Sequence, residues 1–193
     1  MEITIGIIFG SVRTERRGIK VARFLEKQLL ERGFKVHFID PLEYSLPLMD
    51  KMYREFEPGK APEPMQRISA MLTESDGFLV VTGEYNHSVP PALKNLLDHY
   101  FSEYRHKPTG IASYSKGSFG GVRAAVHLRV IMGELGSPSI PTILPFPTID
   151  SLFDEALVPV NERILSSTNR FINEMAWYLE AFKTQREKGL PAR

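Results

Sequence analysis

The sequence predicts an α/β chain on a doubly wound, five-stranded parallel sheet, and three observations carry that prediction. Five short apolar runs, Ile3–Phe9, Lys35–Ile39, Gly77–Thr82, Thr109–Tyr114 and Thr142–Phe146, are each followed by a turn signal and a helix-like pattern. The third run contains Phe78-Leu79-Val80-Val81 without a polar break, as expected for a strand buried on both faces. The intervening helical stretches carry one oily face each, such as Val21, Phe24, Leu25 and Leu29, closed by Gly33, and Leu93, Leu96, Leu97 and Tyr100. Right-handed crossovers place helices on both sides of such a sheet, a three-layer sandwich, and the five-strand version points to the order 2-1-3-4-5.

Taken in order, the first strand feeds the loop Gly10–Gly18 and the first helix, and the second strand is followed by the proline-rich, charged stretch Pro41–Pro64. That stretch reads as a long connection or a partial lid rather than a second domain. Pro91 suits the first turn of the helix after strand three, with Ser88 as a candidate cap. A last helix has Ile164, Phe171, Ile172, Met175, Leu179 and Phe182 on one stripe, flanked by Trp177 and Tyr178, and should close over the sheet. Residues 1–193 read as one domain, with 186–193 as a frayed tail.

Composition limits the function classes. With 24 Lys and Arg against 23 Asp and Glu, the formal charge is +1, so no broad field recruits nucleic acid or a membrane surface and any anion site is local. Cysteine is absent, which removes disulfides, thiolate zinc sites and cysteine nucleophiles, a phosphatase of similar topology included, and suits the cytoplasm. Met1 runs almost directly into Ile3–Phe9 without a basic leader, so neither signal peptide nor anchor is expected. His99, His106 and His127 lack the spacing of a metal set, and none is expected.

In a sheet of this kind ligands bind beyond the carboxyl ends of the strands, near the switch in strand order. The loop Gly10–Gly18 offers a small-residue turn at a helix N-terminus, the Ser11 hydroxyl and a charged fork from Arg13 or Arg16, which makes a phosphate cradle. It has neither the Gly-Lys-Ser/Thr ending of a Walker A loop nor Gly-x-Gly-x-x-Gly spacing, and the competing reading is a solvated basic turn. In Gly83–Pro91, Tyr85-Asn86-His87 stands on a stiff turn suited to a flat ring, against ordinary packing for Tyr85 and a surface imidazole for His87. In Ser113–Gly121 the glycine density lets backbone amides approach a ligand, against a plain strand-to-helix connection. Tyr100, Phe101 and Tyr104 exceed what one helix face buries, and either form a subunit contact or pack under Pro41–Pro64.

Three motifs together resemble the NADPH-dependent FMN reductase family: Gly10-Ser11-x-Arg13, Glu84-Tyr85-Asn86 running into Pro91-Ala-Leu-Lys-Asn-x-Leu-Asp98, and Gly120-Gly121. The resemblance spans about residues 3 to 146 and implies a flavodoxin-like fold. It also implies non-covalent FMN with NADPH or NADH as co-substrate, a small acceptor (a quinone, free flavin, azo dye or oxidised metal), and a homodimer or homotetramer. By the same resemblance Ser11, Arg13, Arg16, Arg17 and Gly18 hold the FMN phosphate, Glu84, Tyr85, Asn86 and His87 line the ring, and Ser115 and Gly117 sit beside it. The flavin N5 carries the chemistry, so no catalytic side chain is expected. Many members have a small hydroxyl residue where Arg16 stands and Asn where Gly18 stands. A flavodoxin-type carrier or a flavin-based redox-sensing or binding module without turnover is the alternative.

Overall fold

The computed structural model describes residues 2–191. Five parallel strands, β1 (Thr4–Phe9), β2 (Lys35–Ile39), β3 (Gly77–Gly83), β4 (Thr109–Tyr114) and β5 (Ser139–Phe146), form one sheet in the order β2-β1-β3-β4-β5. The helices are α1 (Ile19–Leu30), α2 (Glu63–Glu74), α3 (Pro91–Asp98), α4 (Val122–Glu134) and α5 (Glu162–Glu187). Alternation along the strands sorts the core into two layers. Ile5, Ile7, Phe9, Leu79 and Val81 point to the layer closed by α1 and α5, and Ile8, Phe78, Val80 and Ile111 to the layer closed by α2, α3 and α4. This is the flavodoxin-like sandwich that the apolar runs predict, and the switch in strand order lies between β1 and β3.

Three expectations need correction. The fifth strand begins at Ser139, three residues before the expected start, because Pro141 reads as a breaker although an edge strand tolerates it. The Pro41–Pro64 stretch ends inside a helix, since Pro62 precedes α2 and Pro64 sits in its first turn, where a missing N–H costs nothing. That stretch is not a lid over the ligand loops: Asn95 on α3 takes the Met49 amide (2.8 Å) and donates to the Pro47 carbonyl (2.8 Å), and the Tyr53 amide donates to the His99 carbonyl (2.8 Å). Under it lies buried Tyr100, its ring centroid 5.8 Å from that of Tyr53, with Arg54 over the Phe101 ring at 5.1 Å, while Tyr104 is buried edge-on against Phe78 on β3 (5.4 Å), so packing rather than a subunit contact accounts for these aromatics.

At the amino ends of the central strands β1 and β3, α5 is tied down by Asp76. Its carboxylate accepts from the Thr4 amide (3.0 Å), Lys183 (2.8 Å) and Arg186 (2.9 Å), and Arg186 also donates to the His106 carbonyl (2.9 Å). The helix therefore holds through Glu187, past the expected onset of fraying, while residues 192 and 193 lie outside the described residues. Phe171, Ile172, Met175 and Leu179 close α5 over the sheet, and Trp177, flanking that stripe, stands 65% exposed against Tyr178.

Candidate functional site

The loops at the carboxyl ends of β1, β3, β4 and β5 surround a cavity of about 320 Å³. A larger one, about 410 Å³, lies between His106 and the last turns of α5, at the edge where the strands begin. It draws on none of the strand-end loops. In a doubly wound sheet the switch point decides, so the smaller cavity is the candidate site.

The loop after β1 supplies Ser11, Arg13, Glu15, Arg16 and Arg17 to the cavity. Gly10 packs where a Cβ would come within 3.0 Å of Leu93, Ser11 is buried, and the Ser11 Oγ accepts weakly from the Arg13 amide (3.5 Å). The turn then winds into α1 through Arg17 N–H to Glu15 O (2.7 Å) and Ile19 N–H to Arg16 O (2.9 Å). Among the described residues the amides of Thr14, Glu15, Arg16 and Gly18 meet no protein acceptor, so the loop leading to the positive end of α1 keeps free donors that suit an anion.

The three arginines of this loop divide. One nitrogen of Arg16 donates to both carboxylate oxygens of buried Asp40 (2.5 and 2.6 Å), with the guanidinium carbon 5.7 Å from the Phe9 ring centre, so its charge is spent fastening the loop to the end of β2. Arg17 pairs with Asp150 and, at 3.4 Å, with Glu15. Arg13 has no ion-pair partner among the described residues, and neither does Lys116 across the cavity.

The loop after β3 contributes Gly83, Glu84 and Tyr85. Tyr85 and Ser88 exchange backbone hydrogen bonds (2.9 and 3.0 Å) around Asn86 and His87, both in the left-handed region at φ 49° and 66°. Two consecutive non-glycine residues there hold a tight, strained turn. Neither lines the cavity; His87 faces a shallow hollow with Arg123, Val126 and His127 on α4. Ser88 does not cap α3, whose start is Pro90 without a side-chain cap; its hydroxyl meets His127 Nδ1 at 3.1 Å instead. Glu84 accepts from the amides of Arg123 (3.0 Å) and Ala124 (3.3 Å) and pairs with the Arg123 guanidinium (3.5 Å). It is thus the cap of α4, linking two loops, and does not offer its carboxylate to a ring.

From the loop after β4 come Tyr114, Ser115 and Lys116, and from that after β5, Ile149. Gly120 and Gly121 take φ 62° and 79°, and a Cβ on Gly121 would fall 2.8 Å from the Tyr114 carbonyl, so this turn requires glycine. Ser115 Oγ donates to the Gly117 carbonyl (3.0 Å), and the amides of Thr148 and Ile149 donate to Gly117 and Ser115 carbonyls (3.2 and 3.1 Å). Exposed Gly117 and Gly18, buried under the Tyr114 ring, do not line the cavity. Burial pushes the Tyr114 phenol up to about 12, with the neighbouring Ser11 hydroxyl pulling the other way.

Of the sequence candidates, Ser11, Arg13, Arg16, Arg17, Glu84, Tyr85 and Ser115 converge on the cavity, whereas Gly18, Asn86, His87 and Gly117 do not line it. Tyr114 and Ile149 were missed: one is the last residue of a strand, and the other follows a strand whose loop carries no unusual motif. The position just beyond the fifth apolar run was the available signal. Unpaired amides, a buried hydroxyl and an unpartnered guanidinium at a helix N-terminus suit a phosphate, and the Tyr85 phenol across the cavity suits an attached ring, so the donor set fits FMN.

The comparisons with known proteins agree with that chemistry. The chain is 32% identical over 146 residues to an NAD(P)H-dependent FMN reductase of Schizosaccharomyces pombe, covering 71% of this chain and 69% of that protein. It is 29% identical over 175 residues to a 2-hydroxy-1,4-benzoquinone reductase of a Burkholderia species, covering 88% and 90%. The solved structure of FerB, a flavoenzyme NAD(P)H:(acceptor) oxidoreductase from Paracoccus denitrificans, superposes with a TM-score of 0.76 at 21% identity, covering 93% of this chain and 98% of that one. Because the family model for NADPH-dependent FMN reductase matches residues 3–149, a span holding all five strands and every loop around the cavity, the chain belongs to that family.

Proposed function

We propose that this chain is an FMN-dependent NAD(P)H oxidoreductase that passes reducing equivalents to a small acceptor, such as a quinone, free flavin, azo dye or oxidised metal, and that the whole chain works as one flavin-binding domain. The observation that carries the reading is the unpartnered Arg13 among unpaired amides at the α1 N-terminus, in a chain with almost no net charge. Ser11, Arg13 and those amides hold the phosphate. Arg16 and Arg17 act one step back, fixing the loop through Asp40 and Asp150. Tyr85 faces the ring, the Asn86–His87 turn holds Tyr85 in place, and the Ser115–Gly121 loop, tied to β5 and through Glu84 to β3, forms the opposite wall. Bound there, FMN supplies the two-electron chemistry between nicotinamide and acceptor. Tyr114 keeps its proton at neutral pH, so its phenol binds and orients rather than exchanging a proton.

The test is titration of the purified chain with FMN, followed by anaerobic addition of NADPH or NADH. One FMN per chain and bleaching without a partner protein are expected. No binding would discard the flavin reading, and binding without bleaching would leave a carrier or sensor. We further propose a homodimer or homotetramer, supported by Phe119, Val126 and Val130, which stand 63%, 53% and 75% exposed along α4 and the loop before it. Light scattering that reports the 21.9 kDa monomer mass would remove this assignment. A cytoplasmic site of action accords with the absence of cysteine, and cell fractionation tests it. Among the described residues no helix is long and apolar enough to cross a membrane.

A further inference from the structure

Tyr114 ends β4 half-buried on the cavity wall, and two neighbouring elements leave it room. A Cβ on Gly18 would overlap the ring at Cζ, Cε1 and Oη, and one on Gly83, the last residue of β3, would approach Cζ and Oη to 3.2 Å. Gly18 sits at φ −63° and ψ −12°, ordinary right-handed geometry that any residue adopts, so its backbone does not require glycine. The Tyr114 ring does. The phenol hydroxyl is thereby placed at the first turn of α1, beside the Ser11 hydroxyl and within the electrostatic reach of Arg13. If the ring only filled space, phenylalanine would do so without burying a hydroxyl. Burial raises the phenol to about 12, so the group remains a hydrogen-bond donor throughout the neutral range.

We propose that Tyr114 is a phosphate-binding residue of the flavin site: its Oη donates to the FMN phosphate at the N-terminus of α1, and Gly18 is glycine so that the ring can reach that position. This rests on the FMN reading above and adds a donor from the β4 wall to those of the β1 loop.

Riboflavin separates the two readings, since it has the same ring and ribityl chain without the phosphate. Wild type, Tyr114→Phe, Tyr114→Ala, Gly18→Ala and the double variant Gly18→Ala/Tyr114→Ala are titrated with FMN and with riboflavin by fluorescence quenching. Loss of a charge-assisted hydrogen bond in Tyr114→Phe should weaken FMN roughly 10-fold and leave riboflavin within about twofold. Gly18→Ala should weaken FMN by displacing the ring, and should cost nothing further in the Tyr114→Ala background. Unchanged FMN affinity in Tyr114→Phe, an equal loss for both ligands, or the same Gly18→Ala penalty with and without the ring would each overturn the assignment. A wild type that binds neither flavin would overturn the FMN reading itself, and this one with it.

Discussion

Arg13, Arg16 and Arg17 are chemically alike and four positions apart at most, yet their partners differ. Removing Arg13 should weaken FMN by roughly 1.5–3 kcal/mol, about 10- to 150-fold, with little effect on unfolding, because the residue is exposed and touches no other charge. Removing Arg16 should do the reverse. It strands the Asp40 carboxylate, which is 3% exposed, and should lower stability by about 2 kcal/mol, a value reduced from the fully buried case because Arg16 itself is partly open to water. Paired flavin titrations and urea melts of Arg13→Ala and Arg16→Ala check the contrast; similar affinity losses in both would refute it. The sequence placed three cations near an anion site. It could not say which one stays free, because Asp40 and Asp150 come from the ends of other strands.

The inner strands were legible because burial on both faces favours apolar runs, as in β3, and the runs also predict the bounds of β4 and of the half-buried edge strand β2. Proline hid the rest: a ring with no N–H looks like a breaker in Pro141, Pro62 and Pro64, although an outer strand edge and a first helical turn have no use for that hydrogen. The link between β3 and α4 was not legible at all, since a glutamate in a loop does not announce that it caps a helix forty residues on. Glu84→Ala should release the first turn of α4 and cost about 1–2 kcal/mol, with Glu84→Gln milder because its amide oxygen still accepts. Thermal melts give the order wild type, Gln, Ala. Equal melting temperatures would show that the contact carries no stability.

Across the whole molecule the balance of buried titratable groups sets the pH response. Burial first, and Arg186 next, lower the Lys107 ammonium to about 8, against Asp76 and Glu103, while Lys107 donates to the Leu72 and Thr73 carbonyls (2.7 and 2.9 Å). From about pH 8 to the ordinary 10.5 the unfolded chain holds a proton that the folded chain has released, so stability rises with pH in that window. Tyr100, Tyr104 and Tyr114, all raised by burial, act oppositely above about 10, where the unfolded chain loses their protons first. Urea unfolding should therefore show stability climbing from pH 8 to about 10 and falling beyond. Lys107→Met should flatten the climb and keep the fall; an unaltered climb would exclude Lys107 as its source. By itself the sequence determined the strand count, the strand order and three of the loops that line the cavity, because apolar periodicity and turn residues act locally and the handedness of crossovers leaves few topologies. Only the tertiary structure decided which arginine is free, that Glu84 caps α4, that Tyr114 and Ile149 join the wall, and that Tyr100 lies under the long connection. Each of those outcomes depends on charges and volumes brought together from distant parts of the chain, and no local pattern records them.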